Sequence, residues 1–416
     1  MLLAAESRPA LAYTEGIKVG KERERALYHV NYIRKQVGIR PSSHSSILAR
    51  SAAAHSKYTV EADEFGHYET RTGSPYYVGY RPADRAARFN YPDPSTVTEN
   101  IYTTWSAGTR GVRTYYHVDN AIQWWMAAIY HRFPIISPRT AVLGYGGYYK
   151  DGRSVSTLEF GNNYGLTGKM VRWPTPYQKG IGVRLEGEFP SPVEQFGGSF
   201  PTGYPVSITW HTGAVKMSSM TMVRAKGNAN VPAYKLTPQN DEPEPGMTFS
   251  KWSTSLTLIP KKPLSYGTTY KVAFKGTYAA NGDLSTGKWF SYTWSFTTMP
   301  SPPGTPTFSP APGASSVSRR PTLQMWFNQP LKTYTLAHTS NRALNVGGIG
   351  VSLRNQNTGA EVKIDITRPK TSTVRKVTVR PGIRLTPNSS YRLSYRLSDA
   401  WGRLVAGSTY FTTAGR

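Results

Sequence analysis

The sequence predicts a multidomain chain, an α+β domain followed by two all-β sandwiches. Three observations predict it. Helical periodicity is confined to residues 22–131. From about residue 170, short β-branched and aromatic runs alternate with Pro, Gly, Asn and Ser punctuation, at the spacing of antiparallel sandwiches. One β pattern also occurs twice, as a tandem repeat does. The length of 416 residues has room for two to four domains of roughly 100–200 residues each.

The first helix is read over Glu22 to Val37. Leu27, Val30, Ile33 and Val37 fall on one stripe, and Gly38 follows as a C-terminal stop. Ser43 to Glu61 reads as a second helix, rich in alanine and headed by serines that can cap it. Asp119 to His131 reads as a third, with Ile122, Trp125 and Ile129 at helical spacing. Trp124 and Trp125 are both expected in the core. The stretch between, about 66–117, is dense in Gly, Pro and Tyr and reads as a long loop, which in a compact domain is more often functional than idle. Strands at Ala141–Tyr149 and Val155–Phe160 close this domain, at 22–165, and Gly144-Tyr-Gly-Gly147 is read as a tight strand or bulge.

The first β domain is placed at 172–299, with strands at Pro205–Trp210, Ser255–Ile259, Tyr270–Phe274 and Tyr292–Thr298. Residues 300–312 carry six prolines and read as a stiff, extended linker. The second β domain follows at 313–416. In the repeat, Leu256 to Pro260 with Leu264, Thr268 and Tyr270 matches Val377 to Pro381 with Leu385, Ser389 and Tyr391, and each copy closes on Phe-Thr-Thr. Residues 1–21 read as a disordered leader. Its Ala-rich end looks like a cleavage site, but it has no basic start and too short an apolar stretch for an ordinary signal peptide.

Composition removes several classes of function. Without cysteine there is no disulfide, thiolate metal site or cysteine nucleophile. No apolar run approaches the roughly 18 residues of a membrane helix. No phosphate loop, nucleophile elbow or His-Glu-x-x-His helix occurs. The net charge is +26, and half of it, +13, sits in residues 301–416. Arg375, Lys376, Arg380, Arg384, Arg392 and Arg396 are spread through strands there without a nucleic-acid motif, so nucleic acid is disfavoured. The expected partners are an anionic envelope polymer or lipid surface, with charge kept for solubility as the alternative.

In the first domain, His67, Glu69, Glu99 and His131 lie in or beside the loop-rich stretch. His and carboxylate together can hold a divalent ion or share protons, or they can be loop polars and a helix-end histidine. His55, in the alanine-rich helix, is expected to be packed and satisfied. Tyr68, Tyr76, Tyr77, Tyr80, Tyr91 and Tyr102 crowd the same loops, where tyrosine either packs the loops or meets carbohydrate or amphiphile.

The order of several short words gives these residues a context. They are Asn31-Tyr-Ile-Arg34, Ala52-Ala-Ala-His55, Gly66-His67-Tyr68-Glu69, Asp84-Arg85-Ala86, Thr98-Glu99-Asn100-Ile101, His131-Arg132 and Leu143-Gly144-Tyr145-Gly146. In this order, over about 22–161, they resemble the bacterial branch of the CAP superfamily, also called SCP/TAPS. The resemblance implies an α-β-α sandwich and an open cleft lined by two histidines and two acids. Carried over, His67 is the first histidine, Glu99 the acid of the E-N-I box and His131 the histidine of the H-R pair. The second acid of the family's animal branch is missing, and Glu69 is the candidate for it. The β units resemble bacterial immunoglobulin-like domains.

Together these imply a secreted or cell-surface bacterial protein. Its cleft, with Tyr68 and Tyr102 beside the four residues, would bind a small amphiphilic or glycan ligand. No cofactor is required, but a weakly bound divalent cation such as zinc on His67, His131 and Glu99 is allowed. The alternatives are a metal-assisted hydrolase of peptide or glycan, with Glu99 as general base, and a purely structural surface or adhesion protein.

Overall fold

The computed structural model describes residues 22–105, 117–150, 153–162, 170–242, 254–340, 349–367, 370–371, 373–401 and 403–416. The leader at 1–21 lies outside them. The chain forms two compact units, divided between Met299 and Pro300.

In the first unit, α1 (Glu22–Gln36) ends as expected, with Gly38 in the left-handed region at φ 69. Ala26, Val30 and Ile33 are its buried apolar positions, while Leu27 and Val37 are half-buried. Ser43 and His44 are not helical. They form β1, parallel to β3 (Val142–Lys150), and Ser45 caps α2 (Ser46–Glu61) by accepting from Leu48 N. Among the described residues, the region read as loop holds α3 (Pro82–Arg88), a single 3-10 turn at Pro94–Thr96 and β2 (Val97–Trp105). The helix read over 119–131 is two helices, α4 (His117–Ala127) and α5 (Ile129–Ile136), with Ala128 between them in extended backbone at ψ 130. The break needs an N-terminal partner for α5, and a distant side chain supplies it. Asp119, in the first turn of α4, accepts from Arg25 Nε at 2.5 Å and lies 3.1 Å from His29 Nε2, which ties α1 to α4.

With β4 (Arg153–Gly161) the sheet order is β1-β3-β4-β2, antiparallel except for β1, so β2 lies at an edge. Side chains alternate across it. Leu143, Tyr145, Leu158 and Phe160 join the core built with α1 and α4. Gly144 and Gly146 face α2, where a Cβ would stand 2.1 Å from Ala49 N and 2.0 Å from Ala53 N. The paired glycines therefore bring a helix close to the sheet; they are not a bulge, since β3 and β4 pair without a register shift.

The same unit continues through β5 (Val171–Trp173), β6 (Arg184–Leu185), β7 (Thr202–Gly203), β8 (Val206–Thr209), β9 (Ala214–Arg224), β10 (Ala233–Leu236), β11 (Ser255–Pro260), β12 (Thr269–Ala279) and β13 (Lys288–Thr297). They form sheets β10-β11-β8-β5 and β13-β12-β9 and the pair β6-β7. One apolar core runs without interruption from Val30 and Trp125 to Trp173, Ile208, Phe274 and Phe296. Arg132 is fully buried across this join. It donates to Met126 O at 2.7 Å, Pro205 O at 3.1 Å and Ser207 Oγ at 3.1 Å, and lies over the Tyr204 ring.

The second unit contains β14 (Thr307–Ser309), β15 (Ala314–Val317), β16 (Leu323–Lys332), β17 (Gly350–Asn355), β18 (Glu361–Val362), β19 (Ile364–Ile366), β20 (Thr373–Pro381), β21 (Ser390–Ser398) and β22 (Leu404–Thr413). The sheets are β14-β16-β20-β19 and β15-β22-β21-β17-β18, around Met325, Val377, Leu393 and Phe411. Within the proline-rich stretch, Thr307–Ser309 pairs with β16.

The sequence repeat returns as repeated bonds. Ser265 N donates to Tyr270 Oη at 2.8 Å, and Thr386 N to Tyr391 Oη at 2.9 Å. Thr298 Oγ1 donates to Ser265 O, and Thr413 Oγ1 to Thr386 O, both at 2.6 Å. The tyrosines stack on Phe296 and Phe411 at 5.8 and 5.7 Å.

Candidate functional site

The site lies at the free edge of β2. Glu99 and Asn100 are neighbours on that strand and therefore face opposite sides of the sheet. Asn100 Nδ2 donates to His131 O at 2.7 Å, fixing the start of α5. The Glu99 carboxylate is fully buried on the α2 side. Its Oε1 accepts from His67 Nδ1 at 2.9 Å and its Oε2 from Arg85 Nη2 at 2.7 Å, with His55 Nε2 at 3.7 Å. Burial pushes this carboxyl up, but the Arg85 guanidinium, His55 and His67 more than offset that and hold it down, at about 2.

His131 is the second histidine of the cleft. Its ring centre lies 6.3 Å from that of His67, and its Nδ1 donates to Glu188 Oε1 at 3.0 Å. Glu188 is the residue that sequence reasoning missed. It comes from the segment after β6, outside the domain that the cleft was assigned to. Its buried carboxylate also accepts from Ile129 N at 2.7 Å, Tyr130 N at 2.6 Å and His131 N at 3.3 Å. It is thus the cap of α5, whose own Ala128 offers no side-chain oxygen.

The cleft thus holds two histidine–carboxylate pairs, His67–Glu99 and His131–Glu188. Glu69 is brought to neither histidine. Fully buried, it meets His55 Nδ1 at 3.0 Å and accepts from Val78 N and Gly79 N at 2.7 and 3.2 Å. His55 is packed and satisfied, as expected, with Nε2 against Gly66 O at 2.9 Å, and it links Glu69 to Glu99 from beneath. Arg85 completes this layer, donating to His67 O at 3.1 Å. Glu159, opposite Glu99 on β4, accepts from Ser51 Oγ at 2.8 Å and leaves Oε2 buried without a partner. Burial, then Glu99, push its carboxyl well above the ordinary value.

Aromatic rings stand beside His131 and on the nearby surface. Trp124 is half-buried rather than core, edge-on to His131 at 5.3 Å and tilted on Tyr102 at 5.8 Å, while Trp125 is buried as expected. Tyr68 and Tyr80 stack at 5.0 Å, 44% and 48% exposed. Phe189, beside Glu188, is 71% exposed.

With Nδ1 of each histidine taken by a carboxylate, Nε2 is the nitrogen left for a ligand, which is the usual orientation of metal-binding imidazoles. Two imidazoles on one tetrahedral ion bring their ring centres to roughly 5 Å, so these rings stand about an ångström too wide. Among the described residues no group of three or more His, Asp or Glu side chains is set to hold a metal.

The sequence model of the family described as CAP, cysteine-rich secretory protein family, matches residues 27–160. Residues 27–160 are a CAP domain. Glu188 therefore lies outside the matched CAP domain and reaches back to complete its cleft. No curated protein sequence matches the chain. Among solved structures, an extracellular protein containing an SCP domain from Bacillus anthracis is similar at 20% identity and a TM-score of 0.28. That match covers 34% of this chain and 40% of that one, so this chain spans less than half of that relative's length. An outer surface protein from Borrelia burgdorferi is similar at 14% identity and a TM-score of 0.28, over 37% of this chain and 100% of that one. The copper resistance protein PcoC from Escherichia coli is similar at 14% identity and a TM-score of 0.20, over 26% of this chain and 98% of that one. Among the described residues no helix is long and apolar enough to cross a membrane.

Proposed function

We propose that this is an exported bacterial envelope protein whose CAP cleft binds a hydroxyl-rich glycan, carried on two immunoglobulin-like modules that attach to an anionic envelope polymer. The observation that carries the cleft reading is the pair of imidazoles. Each has Nδ1 bonded to a buried carboxylate, which leaves Nε2 for a ligand, with ring centres 6.3 Å apart, and Tyr68, next to His67 in sequence, stacks on Tyr80. Imidazole nitrogens and flat rings together suit a hydroxyl-rich sugar. A lipid tail would need an apolar floor, and here the ionised Glu99 carboxylate, bonded to His67 and Arg85, lies beside the imidazoles. Turnover is less well supported than binding, because a carboxylate held at about 2 is a poor general base near neutral pH. The tandem tyrosine bonds support two copies of one β module, and the bacterial extracellular and outer-surface neighbours support export.

The test is calorimetric titration of solubilised cell-wall glycan and chitooligosaccharide into the full chain and its His67→Ala/His131→Ala variant. Saturable binding lost in the variant is expected. Equal binding by both proteins refutes the cleft as the site. A parallel zinc titration separates the metal reading, which requires one-to-one binding that the same variant loses.

A further inference from the structure

We infer that the outer face of the five-stranded sheet in the second unit is a phosphate-binding site for that anionic polymer. This rests on the proposed attachment of the β region and gives it a location. On β21, Tyr391, Leu393, Tyr395 and Leu397 are buried in the core, so Arg392, Ser394 and Arg396 face outward. Register then fixes three rows across β17, β21 and β22. They are Arg354–Arg392–Tyr410, Ser352–Ser394–Ser408 and Gly350–Arg396–Ala406. No carboxylate stands in these rows; the nearest acid in register is Glu361, opposite Arg354 on β18.

Two features of the rows ask for an anion. Arg354 and Arg392 are directly opposite each other, an arrangement that destabilises a sheet when nothing intervenes. Between the arginines lie donors with nothing to bond. Ser352 and Ser394 are 0% and 7% exposed, yet their Oγ atoms have no partner, and neither do Arg392 Nε and Arg396 Nε. Buried polar atoms are nearly always paired. At about 3.4 Å per residue along a strand, Arg392 and Arg396 each start about 7 Å from Ser394, so both guanidiniums can converge above its hydroxyl. The Arg392 guanidinium already lies over the Tyr410 ring, 5.5 Å from its centre, while its Nε has no partner. Forks from two sides and a hydroxyl from beneath match the tetrahedral oxygens of a phosphate better than a planar carboxylate.

The test measures binding of poly(glycerol phosphate), inorganic phosphate, polyglutamate and duplex DNA to the full chain at several salt concentrations. Binding of poly(glycerol phosphate) in preference to polyglutamate and DNA is expected. Arg392→Gln/Arg396→Gln should weaken it at least tenfold and reduce the salt slope by about one for each phosphate that is no longer neutralised. Ser394→Ala should weaken it several-fold with unchanged slope and without loss of thermal stability, since the hydroxyl has no partner to lose. Arg380→Gln/Arg384→Gln removes the same charge from exposed positions outside the rows and should leave most of the affinity. Polymer binding that both double variants weaken alike overturns the site and leaves the attachment reading standing, as does polymer binding that neither weakens. Preference for polyglutamate or DNA overturns the choice of phosphate polymer. A full chain that binds no polyanion overturns both the site and the attachment. Affinity for inorganic phosphate equal to that for the polymer would mean that the source is free phosphate.

Discussion

Glu188→Gln tests how far the CAP cleft depends on chain beyond the CAP domain. The carboxylate accepts from Ile129 N, Tyr130 N, His131 N and His131 Nδ1 within 3.3 Å and is fully buried. Glutamine keeps one acceptor oxygen and turns an amide NH2 toward backbone N–H groups that also donate. A bond to a charged group is worth roughly 1.5–3 kcal/mol net, and a lost helix cap roughly 0.5–2 kcal/mol. These overlap, so a loss of about 3 kcal/mol is expected. At roughly 2–4 °C per kcal/mol for a unit of this order, the first unit should melt roughly 6–12 °C lower by scanning calorimetry. The second consequence is chemical. Without the carboxylate, the proton on His131 is no longer held at Nδ1, and nitrogen-detected NMR of the imidazole should show the tautomers mixing. Glycan affinity should fall with it, while Glu188→Asp should recover part of both. An unchanged melting temperature together with an unchanged His131 spectrum would refute the reasoning, because both bonds would then be incidental.

Three further outcomes follow from the same geometry. Glu99 is held down at about 2, below its ordinary 4.5, so its contribution is fully present above that value and lost as pH falls toward 2; Glu99→Gln should flatten the acid limb of the stability curve, and an unchanged limb would count against the network. Glu159 is pushed the other way, so its contribution is present below about 4.5 and lost as pH rises through its raised value. Glu159→Gln, which keeps a neutral group there, should gain on the parent protein as pH rises above about 4.5 in melting scans, and parallel curves would sink this reading. Gly144→Ala should cost at least about 3 kcal/mol in denaturant titrations, because the methyl would stand 2.1 Å from Ala49 N in the backbone of α2.

What the sequence disclosed follows the range of the interactions. The α1 stripe with Gly38, the cap on α2 and the β repeat are set by residues within a few positions of one another, and periodicity and punctuation report them. Val97–Trp105 carried a strand signal in its Val, Ile, Tyr and Thr content, but the density of Gly, Pro and Tyr around it suggested loop. The break at Ala128 had no local sign, since the group that makes it favourable is 60 positions away. The resemblance to the CAP superfamily grouped His67, Glu99 and His131, and the structure places His67 2.9 Å from Glu99 and its ring 6.3 Å from that of His131. It left the fourth place without a matching acid, and Glu69 was the candidate for it. Distance in the chain is a poor guide here: α2 and the 66–81 loop enclose Glu69 with His55 and Arg85, on the far side of Glu99 from the cleft.

The two carboxylates of the cleft differ in what holds them, and the difference bears on function. Glu99 shares its oxygens between His67 and Arg85, so a cation already balances it and a proton from a ligand has little to gain there. Glu188 spends its charge on three backbone N–H groups and one imidazole. Neither is left free to take a proton or to attack a bonded atom. In the proposed glycan reading both would act on the ligand through a histidine, by deciding which nitrogen faces it, and the site would select a ligand by its pattern of hydroxyls. Replacement of Arg85 by methionine, which frees Glu99 Oε2 of its cation, is the change expected to bring the carboxylate back toward a basic role, with weakened rather than improved glycan binding.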